Sequence, residues 1–494
     1  MDVRRSVLIG GTSLMFAALV LSSQQPPVSS VGLIELSPVA SAVGQGVSAP
    51  AQRVAVLRSA TPIVRPQGTT ASQSPPPVTT SPTPVQGPVA TPLSPGSWFV
   101  RQVVGKAPVK DAQGRTWTPA TGISGGTTVS QYGGIGDTAS EGLYKTAQVG
   151  ILSWTITVPQ PGRYAIDLLT ADAQNTAVGA RVFDVVADTG TQSVSLVKSL
   201  DIVGLVKGYH PEHVTGVVTV SGTVLRLRFS AVRGMPLVTA LAVTAYGSQA
   251  SVTTFNDTFD GPSGSTANAG AWSYDVGTGF ETGSVQTYTK NSSTGSLDGN
   301  GHLAVTARRD LTGRWTSARL TSKGKFAFTY GTVEVHAQVP SGQGLLPAIW
   351  SLGTSIDSVG WPGSGEMDLM EHLGNQPTQV SGHIHALGDL QDALGYKNQR
   401  ISNIGLDWNS GLNVSQDFHT YSMDVQPDAV TFRFDGKAYF TAAREDMRGG
   451  QAWTFGQPFY ILMQITVGGP WQGQPDASTP AVNSMLIDQV IVRS

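Results

Sequence analysis

The sequence predicts an all-β protein, with two β-sandwich domains carried behind a Pro-rich leader. Apolar and polar residues alternate in Ile151–Val158, Val224–Phe229 and Thr332–Val339, the two-residue period of half-buried strands. Turn residues such as Pro159-Gln-Pro-Gly162 and Asp435-Gly436 separate such runs. No helical period stands out between residues 96 and 247.

At 494 residues the chain is long enough for more than one domain. Only 13% of residues are charged and the formal net charge is −2, which excludes the electrostatic footprint of a nucleic-acid binder. A neutral glycan needs no such footprint. The chain has no cysteine, which excludes disulfides, thiolate metal sites and a lipidated-cysteine anchor. An exported protein of this composition relies on cores large enough to stand without staples.

Residues 1–22 read as an export signal: Arg4-Arg5 open it, and the apolar run from Val7 to Leu21 is short for a membrane span. No Ala-x-Ala site follows, so an uncleaved N-terminal anchor is the alternative. Either reading places the protein outside the cell or at its surface. Residues 23–95 are rich in Pro, Ser, Thr and Val, and Pro75-Pro76-Pro77 and Ser81-Pro82-Thr83-Pro84 favour extended conformations without a core. This stretch reads as a disordered linker. Residues 96–247 carry the first set of alternating strands, which predicts a β-sandwich. Residues 252–494 carry the second. There Val333, Val335, Ala337 and Val339 share one face, and Val430, Phe432 and Phe434 alternate with Thr431, Arg433 and Asp435.

The chemistry concentrates in Gly363-Ser-Gly-Glu366-Met-Asp368-Leu-Met-Glu371, three carboxylates within six residues. Like charges held this close raise one another's pKa. On a strand Glu366 and Asp368 share a face, whereas strict alternation sends Glu371 to the other. One extra residue, a bulge near Leu369-Met370, turns Glu371 back beside them. Three acids on one face suit cleavage of a glycosidic bond with retention. One carboxylate attacks the anomeric carbon, and another, kept protonated, donates to the leaving oxygen. In this reading Glu366 is the nucleophile, Glu371 the acid/base and Asp368 the group between them. An acidic edge strand and a calcium loop are the alternatives, and the apolar Met367, Leu369 and Met370 suit a buried strand better than the latter. Aromatic faces stack on sugars, and Trp350, Trp361 and Trp471 lie in Gly/Pro-rich settings, two of them just before the acids. His385 falls on the next expected strand, either as a core histidine or facing the acids, with His383 on the same face. Glu334 has no acidic partner nearby and reads as a solvated strand residue.

The run Trp361-Pro-Gly-Ser-Gly-Glu-Met-Asp-Leu-Met-Glu371 resembles the signature of glycoside hydrolase family 16, in its laminarinase-like branch. Tyr330-Gly-Thr-Val-Glu-Val335, Pro340–Trp350, Asp417-Phe-His-Thr-Tyr421 and Val467-Gly-Gly-Pro-Trp471 resemble further blocks of that family, in its order, over roughly residues 252–494. The resemblance implies a β-jelly-roll with a glycan cleft and retaining endo-hydrolysis of a β-glucan, foremost β-1,3-glucan, with no cofactor in catalysis. It implies the same roles for Glu366, Asp368 and Glu371, and cleft positions for Trp350, Trp361, His385 and Arg319. Some members hold a structural calcium. Asp488 matches one ligand position, but Thr258 stands where an acid is usual, so no metal is predicted.

Three departures bear on which glycan is bound. Asp424-Val425 replaces Glu-Trp, Gly283-Ser284 replaces an Asn-Glu pair, and Gln464 replaces Asn. Mixed-linkage glucan, galactan and transglycosylation therefore stay open beside β-1,3-glucan hydrolysis. A non-catalytic glycan-binding wall protein is the other class; its mark is a lost acid, and all three are present.

Asp111-Ala-Gln-Gly-Arg-Thr-Trp117, Gly125-Gly126, Leu143-Tyr-Lys-Thr146 and Gly179-Ala-Arg-Val-Phe-Asp184 resemble malectin-like carbohydrate-binding domains. That implies binding of cell-wall or extracellular glycan through loop aromatics, Tyr144 and Tyr132 foremost. Tyr144 and Trp117 as core residues is the competing reading. A monomer that takes a polysaccharide and no nucleic acid is expected.

Overall fold

Strands whose alternate side chains are apolar can bury only one face each, so they stack as sheets around shared cores. The structure is a computed structural model that describes residues 93–494, except 176, 207, 248–250, 389–400 and 448–450. The expected export signal, and the linker as far as residue 92, lie outside the described residues.

Up to Gly247, sheets of six, five and three strands surround a core that includes Trp154, Tyr164, Leu168, Phe183, Leu227 and Val243. From Thr253 onward, a ten-stranded and a seven-stranded sheet close over one common core. The expected alternation is realised in the strand Gly331–Gln338, where Val333, Val335 and Ala337 are buried and the residues between them half-buried. At the expected hairpin, Ala429–Phe434 pairs with Lys437–Ala443. Asp435 and Gly436 both take positive φ, 48° and 76°, as its two-residue turn demands.

The seven-stranded sheet carries the acids. In chain order its strands are β1 (Ser273–Tyr274), β2 (Arg319–Thr321), β3 (Leu345–Gly353), β4 (Glu366–Glu371), β5 (Gln379–Leu387), β6 (Ile401–Asn409) and β7 (Phe459–Val467). Side by side they run β1-β2-β7-β3-β4-β5-β6, antiparallel throughout. One face sends Ile349, Met367, Ile384 and Met463 into the core. Residues paired across antiparallel strands share a face. The register therefore sets Trp350, Asp368 and His383 in one row of the other face, and Leu352, Glu366 and His385 in the next.

The N-terminal strands meet the C-terminal ones through a buried ionic network. His213 lies 2.8 Å from Asp167 through Nδ1 and 2.8 Å from Asp446 through Nε2. Arg115 pairs with Asp111 at 2.7 Å, Glu445 at 2.9 Å and Asp428 at 3.1 Å, and Arg101 reaches Asp428 at 2.8 Å. This network corrects the expectation that Tyr144 contacts glycan. Its ring is wholly buried and its hydroxyl sits 3.2 Å from His213 and 3.4 Å from Asp446, so no sugar reaches it. Trp117 is likewise a core residue, donating its indole N–H to Asp111 at 3.0 Å. Tyr132 is 82% exposed.

Candidate active site

β4 is entered from a residue that has to be glycine. Gly365 takes φ +72°, and a Cβ there would lie 2.5 Å from the Thr454 hydroxyl. From that start the strand alternates as far as Asp368 and then breaks step. Against β3, Trp350 pairs with Asp368 and Ile349 with Met370, so Leu369 is the additional residue. Against β5, Asp368 pairs with His383 and Glu371 with Ser381, three residues opposing two. This is the bulge that the spacing of the acids required. Met367, Leu369 and Met370 are buried in the core, and Glu366, Asp368 and Glu371 come together on the opposite face.

Each acid has a partner. Trp361 donates its indole N–H to Glu366 at 3.0 Å, and His383 Nδ1 lies 3.1 Å from Glu371. His385 Nε2 is 3.1 Å from Asp368 and 3.9 Å from Glu366. The His385–Asp368 contact is close without hydrogen-bond alignment, since neither that Asp368 oxygen nor His385 Nδ1 has a hydrogen-bond partner among the described residues.

Glu366 and Asp368 are each only 3% exposed, which governs their charge. Burial, then the charge of Asp368, pushes Glu366 well above the usual carboxylate range. Burial, then Glu371, does the same to Asp368. Burial pulls His385 down. Burial also pulls on His383, but the bond and charge of Glu371 outweigh it and leave that imidazole raised. The site therefore holds protons at a pH where free carboxylates have lost theirs.

The expected aromatic residues gather here too. Trp350 is buried with Arg319 over its ring at 4.8 Å. Trp361 stands 6.2 Å from the His385 ring. Trp471 is 37% exposed and meets His383 edge-on at 5.9 Å. Of the residues singled out in the sequence, Glu366, Asp368, Glu371, Trp350, Trp361, His385, Trp471 and Arg319 thus share this face, whereas Tyr132 lies in a loop of the N-terminal part, after the strand Thr127–Ser130.

One functional-site acid was missed. The reading of Gly283-Ser284 left no carboxylate at this end of the face, yet Glu281 supplies one, accepting from Arg319 at 2.7 Å and Gln464 at 3.0 Å. The available cue was an acid three residues before Ser284 and next to Phe280. Glu334, expected to be solvated, forms a half-buried pair with Arg493 at 3.3 Å. Donors able to surround a cation converge in two sets on this face, Glu366–Asp368–His385 and Asp368–Glu371–His383, and both are the acid row itself. Asp488 is engaged by His336 at 2.7 Å, and the Thr258 hydroxyl donates to Asp260 at 2.7 Å.

Carboxylates held together and partly protonated, among indoles on the face of a β-sandwich, are the equipment of an enzyme that cleaves glycosidic bonds. Residues 282–487 match the family model for glycosyl hydrolases family 16, and residues 101–249 match the malectin domain. A beta-glucanase of Rhodothermus marinus is 36% identical over 225 residues, 44% of this chain and 76% of that protein. A glucan endo-1,3-beta-glucosidase of Cryptopygus antarcticus is 30% identical over 251 residues, 48% of this chain and 87% of that protein. The laminarinase catalytic domain of Thermotoga maritima aligns with 50% of this chain and 99% of its own, at 29% identity and a TM-score of 0.42. The chain belongs to glycosyl hydrolases family 16 and is a glycoside hydrolase.

Proposed function

We propose that this protein is an exported enzyme that hydrolyses internal linkages of a β-glucan, β-1,3-glucan foremost, with retention at the anomeric carbon. The observation that carries the reading is the bulge at Leu369, because it sets Glu371 on the face of Glu366 and Asp368. The names of the two similar proteins, a beta-glucanase and a glucan endo-1,3-beta-glucosidase, support the choice of glycan.

The steps follow from the partners of each acid. Glu366, steadied by the Trp361 N–H, attacks the anomeric carbon while Glu371 gives its proton to the departing glycosidic oxygen. Glu371, now a base, takes a proton from water, and that water releases the sugar from Glu366. Asp368 lies between them; burial raises both it and Glu366, and an Asp368 that keeps its proton removes the like charge that otherwise opposes ionisation of Glu366. His383 adjoins Glu371 and compensates its charge between the two steps.

Release of reducing ends from laminarin, with lichenan and agarose as competing substrates, tests the choice of glycan. Proton NMR of the first product tests the stereochemistry, and an α-anomer appearing first would end the retaining mechanism. Glu371→Gln should cost about 10²–10⁴-fold in kcat. Glu366→Gln should cost on the order of 10⁴-fold or more while oligosaccharide binding stays measurable. Near-normal turnover in either variant would refute the assigned roles.

A further inference from the structure

We propose that Glu281 is a positioning residue of the glycan site: it holds Arg319 and Gln464 so that Arg319 Nη2 and Gln464 Oε1 read the hydroxyls of a sugar ring beside the one attacked. The inference rests on the glycan-hydrolase reading above.

Register places this trio relative to the acids. Arg319 pairs with Gln464, Gln464 with Ala348, and Ala348 with Glu371, so all four residues share a row and a face. At about 4.8 Å per strand step, Gln464 lies about 10 Å and Arg319 about 14 Å from Glu371 along the sheet. That is within the span of a short oligosaccharide.

Arg319 is pinned rather than free. Its guanidinium is sandwiched at 4.8 Å from each of the Phe280 and Trp350 rings. Nη1 donates to Glu281 at 2.7 Å and to Gln464 Oε1 at 2.9 Å, and Nε donates to Asp275 at 3.1 Å. The Gln464 amide is oriented from the same point, its Nε2 donating to Glu281 at 3.0 Å and to the Thr466 hydroxyl at 3.0 Å. Gln286 and the Tyr288 hydroxyl, each at 3.2 Å, occupy the other Glu281 oxygen. With both oxygens engaged by protein, the Glu281 carboxylate acts through its neighbours and not directly on the sugar.

Two departures noted in the sequence become one arrangement. The carboxylate expected near Ser284 sits three residues earlier, and the amide opposite is one methylene longer than Asn. The longer Gln464 reaches the displaced acid. The Ser284 hydroxyl bonds the Glu281 carbonyl at 2.9 Å, and a Cβ at Gly283 would lie 3.5 Å from Gly469 and Pro470. The turn that carries Glu281 therefore leans on the loop that carries Trp471.

The test is steady-state kinetics on laminarin and β-1,3-gluco-oligosaccharides, with oligosaccharide titrations in a Glu366→Gln background. Glu281→Ala should raise KM and Kd about tenfold, the loss expected when charge-assisted hydrogen bonds come undone, with kcat falling much less. Glu281→Gln, which keeps the acceptor toward Arg319, should recover most of that loss. Gln464→Asn, too short to reach Glu281, should reproduce the KM rise by itself, so the test survives if Glu281→Ala fails to fold. An unchanged KM in Gln464→Asn, or a kcat loss in Glu281→Ala with KM kept, overturns the proposal. Wild-type inactivity on every β-glucan would instead undo the substrate reading.

Discussion

Glu366 and Asp368 show how carboxylates are gathered on one face at the cost of stability. Both carboxyls are held above their ordinary range by burial first, and then by a neighbouring acid, Asp368 for Glu366 and Glu371 for Asp368. A group whose folded value is raised binds its proton more tightly in the folded chain. It therefore stabilises the fold below the ordinary carboxylate range, and that contribution is lost as pH rises through the raised value. Asp368→Asn removes the ionisation, so it should raise Tm at pH 8 relative to wild type and raise it less at pH 4. Each kcal/mol relieved corresponds to roughly 2–4 °C in a domain of this size. An equal shift at both pH values would show that charge burial is not the cause. At this scale the three acids were legible because carboxylates among Met and Leu have few uses. Glu281 was not, because its meaning depends on Arg319 and Gln464, 38 and 183 residues away.

For the strand β4, what matters is parity. Glu366 and Glu371 are five residues apart, an odd number, and they share a face only because Leu369 is additional. The mismatch between odd spacing and common chemistry was visible in the sequence. The sequence also placed the bulge near Leu369-Met370; which of the two is additional was not legible, because it is set by pairing with β3 and β5, whose registers no local rule predicts. Deleting Leu369 makes the spacing four, which a regular strand tolerates. This variant should keep the acids on one face and retain measurable turnover, although it loses the packing of one buried leucine. Inactivity of the folded Leu369 deletion variant, seen by circular dichroism and reducing-sugar release, would show that parity is not what the bulge corrects.

Across the whole molecule, the N-terminal sheets are joined to the catalytic ones by charge. His213 bridges Asp167 and Asp446, and both partners outweigh the burial that would otherwise lower its pKa. Glu445 Oε1 is buried without a hydrogen-bond partner among the described residues, and burial, then the charge of Asp167, raises the Glu445 carboxyl. Asp428 is the counter-case: burial opposes ionisation, yet Arg115 and Arg101 hold it below the usual range. The raised groups stabilise below their ordinary values and lose that contribution as pH rises through the folded ones. Asp428 contributes above its ordinary value and loses it in acid. His213→Ala strands two buried carboxylates and should cost roughly 3–5 kcal/mol at pH 6, with a smaller gap from wild type at pH 10. Calorimetry giving the same gap at both pH values would exclude the imidazolium as the bridge.

The sequence by itself determined the strand content, the two-part organisation of the β-structured region and the acids of the site, because alternation, turn chemistry and costly charge clusters are local and leave local marks. Only the tertiary structure decided that Leu369 is the bulged residue, that Tyr144 is sealed beneath His213 and Asp446, and that Glu281 replaces a carboxylate expected elsewhere. Each of those depends on partners distant in the chain, and a side chain's exposure and charge follow from what folds over it.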